Sequence, residues 1–251
     1  MIVGVLEFNG TRILLAMAYP EMTLSEAEAA EARPISPPEP ADSHATLCQT
    51  YAYPIYAYVR RQGHEPGEAL NLAHGFFGWF VQEAVISQDH SGDNFRSFLL
   101  ASLNQFLAGE RTFNHYVKRG DGDLSVALDG VEAEERYQVE PPATWTAERV
   151  YERRWALTVL EQALIALEQE YRAAGSAALF AQLHPFVSGD DEPFAYAELA
   201  AKLRMTEDAI AVAAHHLRHR YAEVVRNEIL KTVRGPEDVE AELHHLFSAL
   251  S

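Results

Sequence analysis

The chain has one cysteine, Cys48, in 251 residues. That excludes an internal disulfide and every zinc site built on paired thiolates. Lysine and arginine are also scarce, 20 against 37 aspartates and glutamates, for a formal net charge of −17. Spread evenly, that charge would repel nucleic acid. The apolar run at residues 13–19 (ILLAMAY) is too short to span a bilayer and follows no basic segment, so no signal peptide and no membrane span are expected. The chain reads as cytoplasmic. There is no Gly-rich phosphate loop, no H-E-x-x-H and no G-x-S-x-G. His215 and His219 are spaced i, i+4, but no third ligand supports them on that face. Adjacent pairs such as His215–His216 and His244–His245 point to different sides of a helix. No enzyme, no cofactor and no metal is therefore expected.

The charge that is present is uneven. Residues 51–120 balance at six acids and six bases, whereas residues 121–150 hold eight acids against two bases. Residues 1–50 hold seven against two. Negative charge is thus concentrated in the N-terminal stretch and in a central segment, which leaves room for contact with a polyanion elsewhere.

Residues 1–44 read as a partly disordered N-terminal extension. Asn9-Gly10 is a favoured hairpin dipeptide between two apolar runs, which can pair as a short hairpin. Residues 23–44 are proline-rich and linker-like. From residue 45 the periodicity is helical. Leu47, Tyr51, Ile55 and Val59 fall four apart, Pro54 interrupts the stripe and Gly63 ends it. A second segment carries Leu72, Phe76, Phe77 and Phe80. A third carries Phe95, Phe98, Leu99, Leu103 and Phe106 on one face, which predicts that they are mostly buried. Between Gly120 and Trp145 the periodicity fails, and this stretch reads as an extended acidic connection. Thr146 then caps a long helix with Val150, Trp155, Leu157, Leu160, Leu164 and Leu167. The fold class is all-α: two helical domains, 45–120 and 146–251, joined by an acidic linker over 121–145.

"YAELAAKLRMTEDAIAVAAHHLRHRY", residues 196–221, reads as two helices joined by a very short turn. Leu199, Ala200 and Leu203 face inward from the first, and Ile210, Ala213, Ala214 and Leu217 face back from the second. Thr206 is a good N-cap for the second helix. This is the pattern of a DNA-reading helix-turn-helix. It is also the pattern of an ordinary helical hairpin within a bundle.

Four stretches carry a wider likeness: "LCQTYAYPIYAYVRRQGHEPGEALNLAHGFF", "FRSFLLASLNQFLAGER", "ERRWALTVLEQAL" and "YAELAAKLRMTEDAIAVAAHHLRHRYAEVVRNEI". Their order and spacing resemble the extracytoplasmic-function class of bacterial sigma factors, in a long-linker branch of it. The resemblance implies a first domain, like sigma region 2, that binds the clamp helices of core RNA polymerase and melts the −10 element. Glu68, Asn71, His74 and Phe77 would lie on its polymerase face, and Asn114, His115, Lys118 and Arg119 near the −10 DNA. It implies a second domain, like sigma region 4, that reads the −35 element of promoter DNA through Thr206, His215, His216, Arg218, His219 and Arg220. The acidic linker would thread the polymerase as a nucleic-acid mimic. An anti-sigma or other regulatory protein is a further implied partner.

The chain departs from that pattern at named places. Asn71, His74 and Gly75 stand where acidic and amide residues are typical, Arg204 stands where the turn usually has glycine, and Glu207, Asp208 and Ala211 open the recognition helix, where acids would face phosphates. The second reading is accordingly a sigma-derived adaptor or decoy that binds a protein partner without promoter recognition.

Overall fold

The structure, a computed structural model, describes residues 2–8, 11–17, 40–84, 95–109, 128–140, 144–188, 193–233 and 235–251. From residue 40 onward every regular element among them is helical. Ahead of these helices, strands β1 (Ile2–Phe8) and β2 (Thr11–Met17) pair antiparallel, from Ile2 opposite Met17 to Phe8 opposite Thr11. The pairing flanks the Asn9-Gly10 dipeptide that the sequence marks as a turn.

Two compact units make up the chain, and neither is continuous in sequence. The larger comprises Glu39–Gln162 and Glu228–Leu250; the smaller comprises Met1–Pro38, Ala163–Asn227 and Ser251. This division departs from the sequence-drawn domains at 45–120 and 146–251. Helix α5 (Ala147–Ala173) contributes its first sixteen residues, through Gln162, to the larger unit. The C-terminal helix α9 (Val239–Leu250) belongs to that unit as well. An isolated 146–251 fragment would therefore lose the surroundings of its first and last helices.

In the larger unit, α1 (Pro40–Arg61), α2 (Pro66–Ala84) and α3 (Phe95–Ala108) follow the three predicted stripes. Helix α1 runs through Pro54. That proline has no N–H for the carbonyl four residues back, a single lost bond that the helix absorbs because its flanking turns are anchored in the core. Tyr51, Ile55, Tyr56 and Val59 are fully buried. Leu99, Leu103 and Phe106 are buried as predicted, but Phe95 and Phe98 are only half-buried, at the start of α3. Phe76 is the hub: its ring centroid lies 5.7 Å from that of Phe106 and 5.5 Å from that of Phe80. The helix α5 adds Tyr151 and Trp155, both fully buried, and begins at the Thr146 cap, whose Oγ1 accepts the Arg149 N–H at 3.2 Å.

The expectation of an extended connection over 121–145 is corrected by helix α4 (Gly130–Gln138). Asp129 caps it, accepting the N–H groups of Val131 at 2.9 Å and Glu132 at 3.0 Å. Only Ala133 in it is buried, so no apolar stripe betrays it. Its residues are good helix formers, and polar contacts to α1 complete its stability. Arg60 on α1 grips Glu134 with two hydrogen bonds, each 2.9 Å, and Tyr56 Oη donates to the same carboxylate at 2.6 Å.

These donors hold the Glu134 carboxyl down from its ordinary 4.5 to about 2, the Arg60 hydrogen bonds being the largest cause and burial opposing them. A carboxyl depressed in the folded state contributes stability that is fully present above its unfolded pKa and is lost as pH falls toward 2. In denaturant titrations between pH 5 and pH 2.5, the wild type should lose stability more steeply than Glu134→Gln. Parallel curves would show that the Glu134 carboxyl is not held below its unfolded pKa in the folded state.

Candidate nucleic-acid interface

After helix α6 (Ala177–Leu183), the helix pair lies in the smaller unit as α7 (Pro193–Leu203) and α8 (Glu207–Leu230), whose last three residues belong to the larger unit. Leu199 and Ala200 on α7 are buried, as are Ile210, Ala214 and Leu217 on α8. The last three recur at i, i+4 and i+7, one face of a helix. Leu203 and Ala213 are half-buried. Thr206 caps α8, its Oγ1 accepting the Ala209 N–H at 3.2 Å.

The turn between the helices has one unusual residue. Arg204 has φ 56°, the left-handed conformation, and the Met205 N–H donates to the Ala200 carbonyl at 3.0 Å. This is a Schellman stop, in which the residue after the helix adopts a left-handed turn. The same stop ends α5, where Gly175 has φ 73° and the Ser176 N–H reaches the Tyr171 carbonyl at 2.8 Å. Glycine takes that conformation without steric cost; arginine does not. Arg204→Gly should therefore raise the unfolding free energy of the smaller unit by about 1 kcal/mol in a denaturant titration. An equal or lower stability would mean that the Arg204 side chain offsets the backbone cost through its own contacts.

The exposed opening of α8 carries Glu207, Asp208, Ala211 and Val212, followed by His215, His216 and His219. Val212 is 55% exposed and shares an i, i+4 row with Asp208 and His216. His219 Nδ1 lies 3.4 Å from Glu223 Oε1. Among the sequence-predicted DNA-contacting residues, Thr206 and the three histidines face solvent. The two arginines do not present themselves in the same way. Arg218 Nε donates to the Phe186 carbonyl at 2.8 Å. Arg220 forks onto Glu170 at 2.8 and 2.9 Å and reaches Glu223 at 2.6 Å. Those bonds raise the Arg220 pKa, and they neutralise the charge that a phosphate would seek. The cation that sequence reasoning passed over is Arg204, exposed in the turn just ahead of the α8 cap. Its signal was the missing glycine.

On α2 the predicted polymerase-facing residues separate. Glu68 and Asn71 are exposed, with Glu68 Oε2 3.2 Å from His64 Nδ1. Phe77 is 4% exposed and its ring lies 5.6 Å from that of Phe76, so it is a core residue. His74 is half-buried; its Nε2 is buried with no hydrogen-bond partner, and burial lowers its pKa. The predicted −10 contacts Asn114, His115, Lys118 and Arg119 lie outside the described residues.

Among the described residues, no three or more His, Cys, Asp or Glu side chains come together as metal ligands would, and no helix is long and apolar enough to cross a membrane. No protein-family model, curated protein or solved structure matches this chain.

Proposed function

We propose that this protein is a divergent sigma-factor-like transcription initiation protein, which binds core RNA polymerase and brings its helix pair to promoter DNA. The observation that carries the reading is the α7–α8 turn. A three-residue connection, with a left-handed residue and a threonine cap, joins the two helices and leaves the opening of the second one exposed, as a helix-turn-helix needs. On α2, exposed Glu68 and Asn71 are the residues left to meet the polymerase.

A second reading, a sigma-derived adaptor that binds protein without reading DNA, is favoured by a different observation. Arg218 and Arg220 are held by the chain itself, and Glu207 and Asp208 stand at the helix opening. Those acids suit the positive end of the helix dipole but repel phosphates.

Two measurements on the full chain divide the readings. Affinity capture with bacterial core RNA polymerase should retain the protein under the first reading; the second requires only that it bind some protein partner. Fluorescence anisotropy with promoter duplexes in the presence of polymerase should detect binding only under the first, strengthening when Glu207 and Asp208 are replaced by Ser and Gly. Capture without DNA binding, in wild type and double variant alike, selects the adaptor. Failure of capture removes the first reading and leaves an adaptor whose protein partner is not the polymerase.

A further inference from the structure

Strands β1 and β2 form a two-stranded sheet, and no further strand joins it among the described residues. The two strands are placed differently. Strand β2 passes within 8 Å, Cα to Cα, of the 3-10 turn His184–Ser188 in the same unit, whereas β1 makes no comparable approach to any described element except β2. The register runs one residue against one, from Ile2 and Met17 to Phe8 and Thr11, with no bulge. A two-residue connection closes on a hydrogen-bonded pair, and bonded and non-bonded pairs then alternate along the ladder. Counting from Phe8, the backbone N–H and C=O groups of Val3, Val5 and Glu7 point away from β2.

Proteins blunt a free strand edge with lysine, proline, a bulge or a very short strand. The seven residues of β1, IVGVLEF, have none of these devices and a single charge, Glu7. A lone two-stranded ribbon is marginal in water, so a further strand on this edge would stabilise it. The strand that fits is β1 itself. Laid antiparallel about a two-fold axis at Val5, two copies pair all seven residues. Val3, Val5 and Glu7 then stand opposite Glu7, Val5 and Val3 of the second copy, so every outward backbone group meets an outward one. The two glutamates lie four positions apart, about 13 Å along the strands. A parallel, in-register pairing would instead oppose them directly, like charge to like. We propose that β1 is a self-association edge, which joins two copies of this chain through a four-stranded antiparallel sheet in the order β2–β1–β1–β2. A seven-residue pairing buries less than a standard interface, so the dimer exchanges with monomer in the micromolar range. The edge is distinct from the α7–α8 pair and does not depend on promoter reading or on polymerase.

The test uses the full chain. In sedimentation equilibrium at rising concentration, the average mass of the wild type should climb from the monomer toward twice that value. Val5→Pro removes an outward N–H and leaves the ladder to β2 intact. It should stay monomeric where about nine-tenths of the wild type is paired. Leu14→Pro makes the same change on the opposite edge and should dimerise as the wild type does. In the wild type, amide exchange at Val3, Val5 and Glu7 should slow about tenfold at that concentration, because it then proceeds through the remaining monomer. Exchange at Arg12, Leu14 and Ala16, on the far edge, should not depend on concentration. The exchange measurement stands even if the proline variants lose the hairpin. A monomer at every concentration, wild-type dimerisation of Val5→Pro, or exchange at Val3, Val5 and Glu7 that ignores concentration would overturn the proposal. Loss of the dimer in Leu14→Pro alone would also overturn it, assigning association to the β2 edge.

Discussion

Replacement of Glu242 by alanine is expected to lower the stability of the larger unit by about 3–5 kcal/mol, the cost of removing one partner of a buried ion pair. Glu242 on α9 is 4% exposed and Arg96 on α3 is 5% exposed. Arg96 Nε donates to Glu242 Oε1 at 3.0 Å, and its Nη1 pairs with Glu152 on α5. Its guanidinium lies 4.9 Å from the Trp155 ring centroid. Burial alone would lower the Arg96 pKa, but the Glu242 hydrogen bond and the Glu152 charge more than offset it, and the pKa rises. Alanine at 242 would leave this guanidinium short of a partner in a low-dielectric interior. Replacing both members, Arg96→Met with Glu242→Leu, removes the charge together with its partner. That variant should recover more than half of the loss, while Glu152 keeps its 2.8 Å contact with His245. Denaturant titrations of the three proteins decide it. A Glu242→Ala cost under about 1 kcal/mol would mean that water reaches the pair.

Phe106→Ala should be comparably damaging, at about 3–5 kcal/mol, whereas Phe98→Ala should cost about 1–2 kcal/mol. Both lie on the predicted apolar face of α3. Phe106 is 1% exposed and its ring meets those of Phe76, at 5.7 Å, and Trp79, at 5.6 Å. Phe98 is half-buried and meets Phe80 at 5.8 Å. Truncating the first opens a cavity enclosed by aromatic rings that relax little; truncating the second exposes surface already partly wet. Equal costs would place Phe98 in the packed core and overturn the distinction.

The sequence alone determined what depends on neighbours within a turn or two. The stripe of Ile210, Ala214 and Leu217, the Thr146 and Thr206 caps and the turn at Arg204 were legible, because caps, glycine-type turns and the 3.6-residue repeat act between residues a few positions apart. The hairpin at Asn9-Gly10 was legible as an option for the same reason. Helix α4 was not, since Ala133 is its only buried residue and much of its support comes from Arg60 and Tyr56, more than 70 residues earlier. Tertiary structure also decided which cations are available to a ligand. Arg218 and Arg220 read as DNA contacts by position, yet they meet the Phe186 carbonyl and Glu170, 32 and 50 residues away. Arg96 meets Glu242 across 146 residues. Charge pairing has no sequence period: any acid that the fold brings within hydrogen-bonding distance can neutralise a base, so only the packed chain reveals which charges remain exposed to solvent.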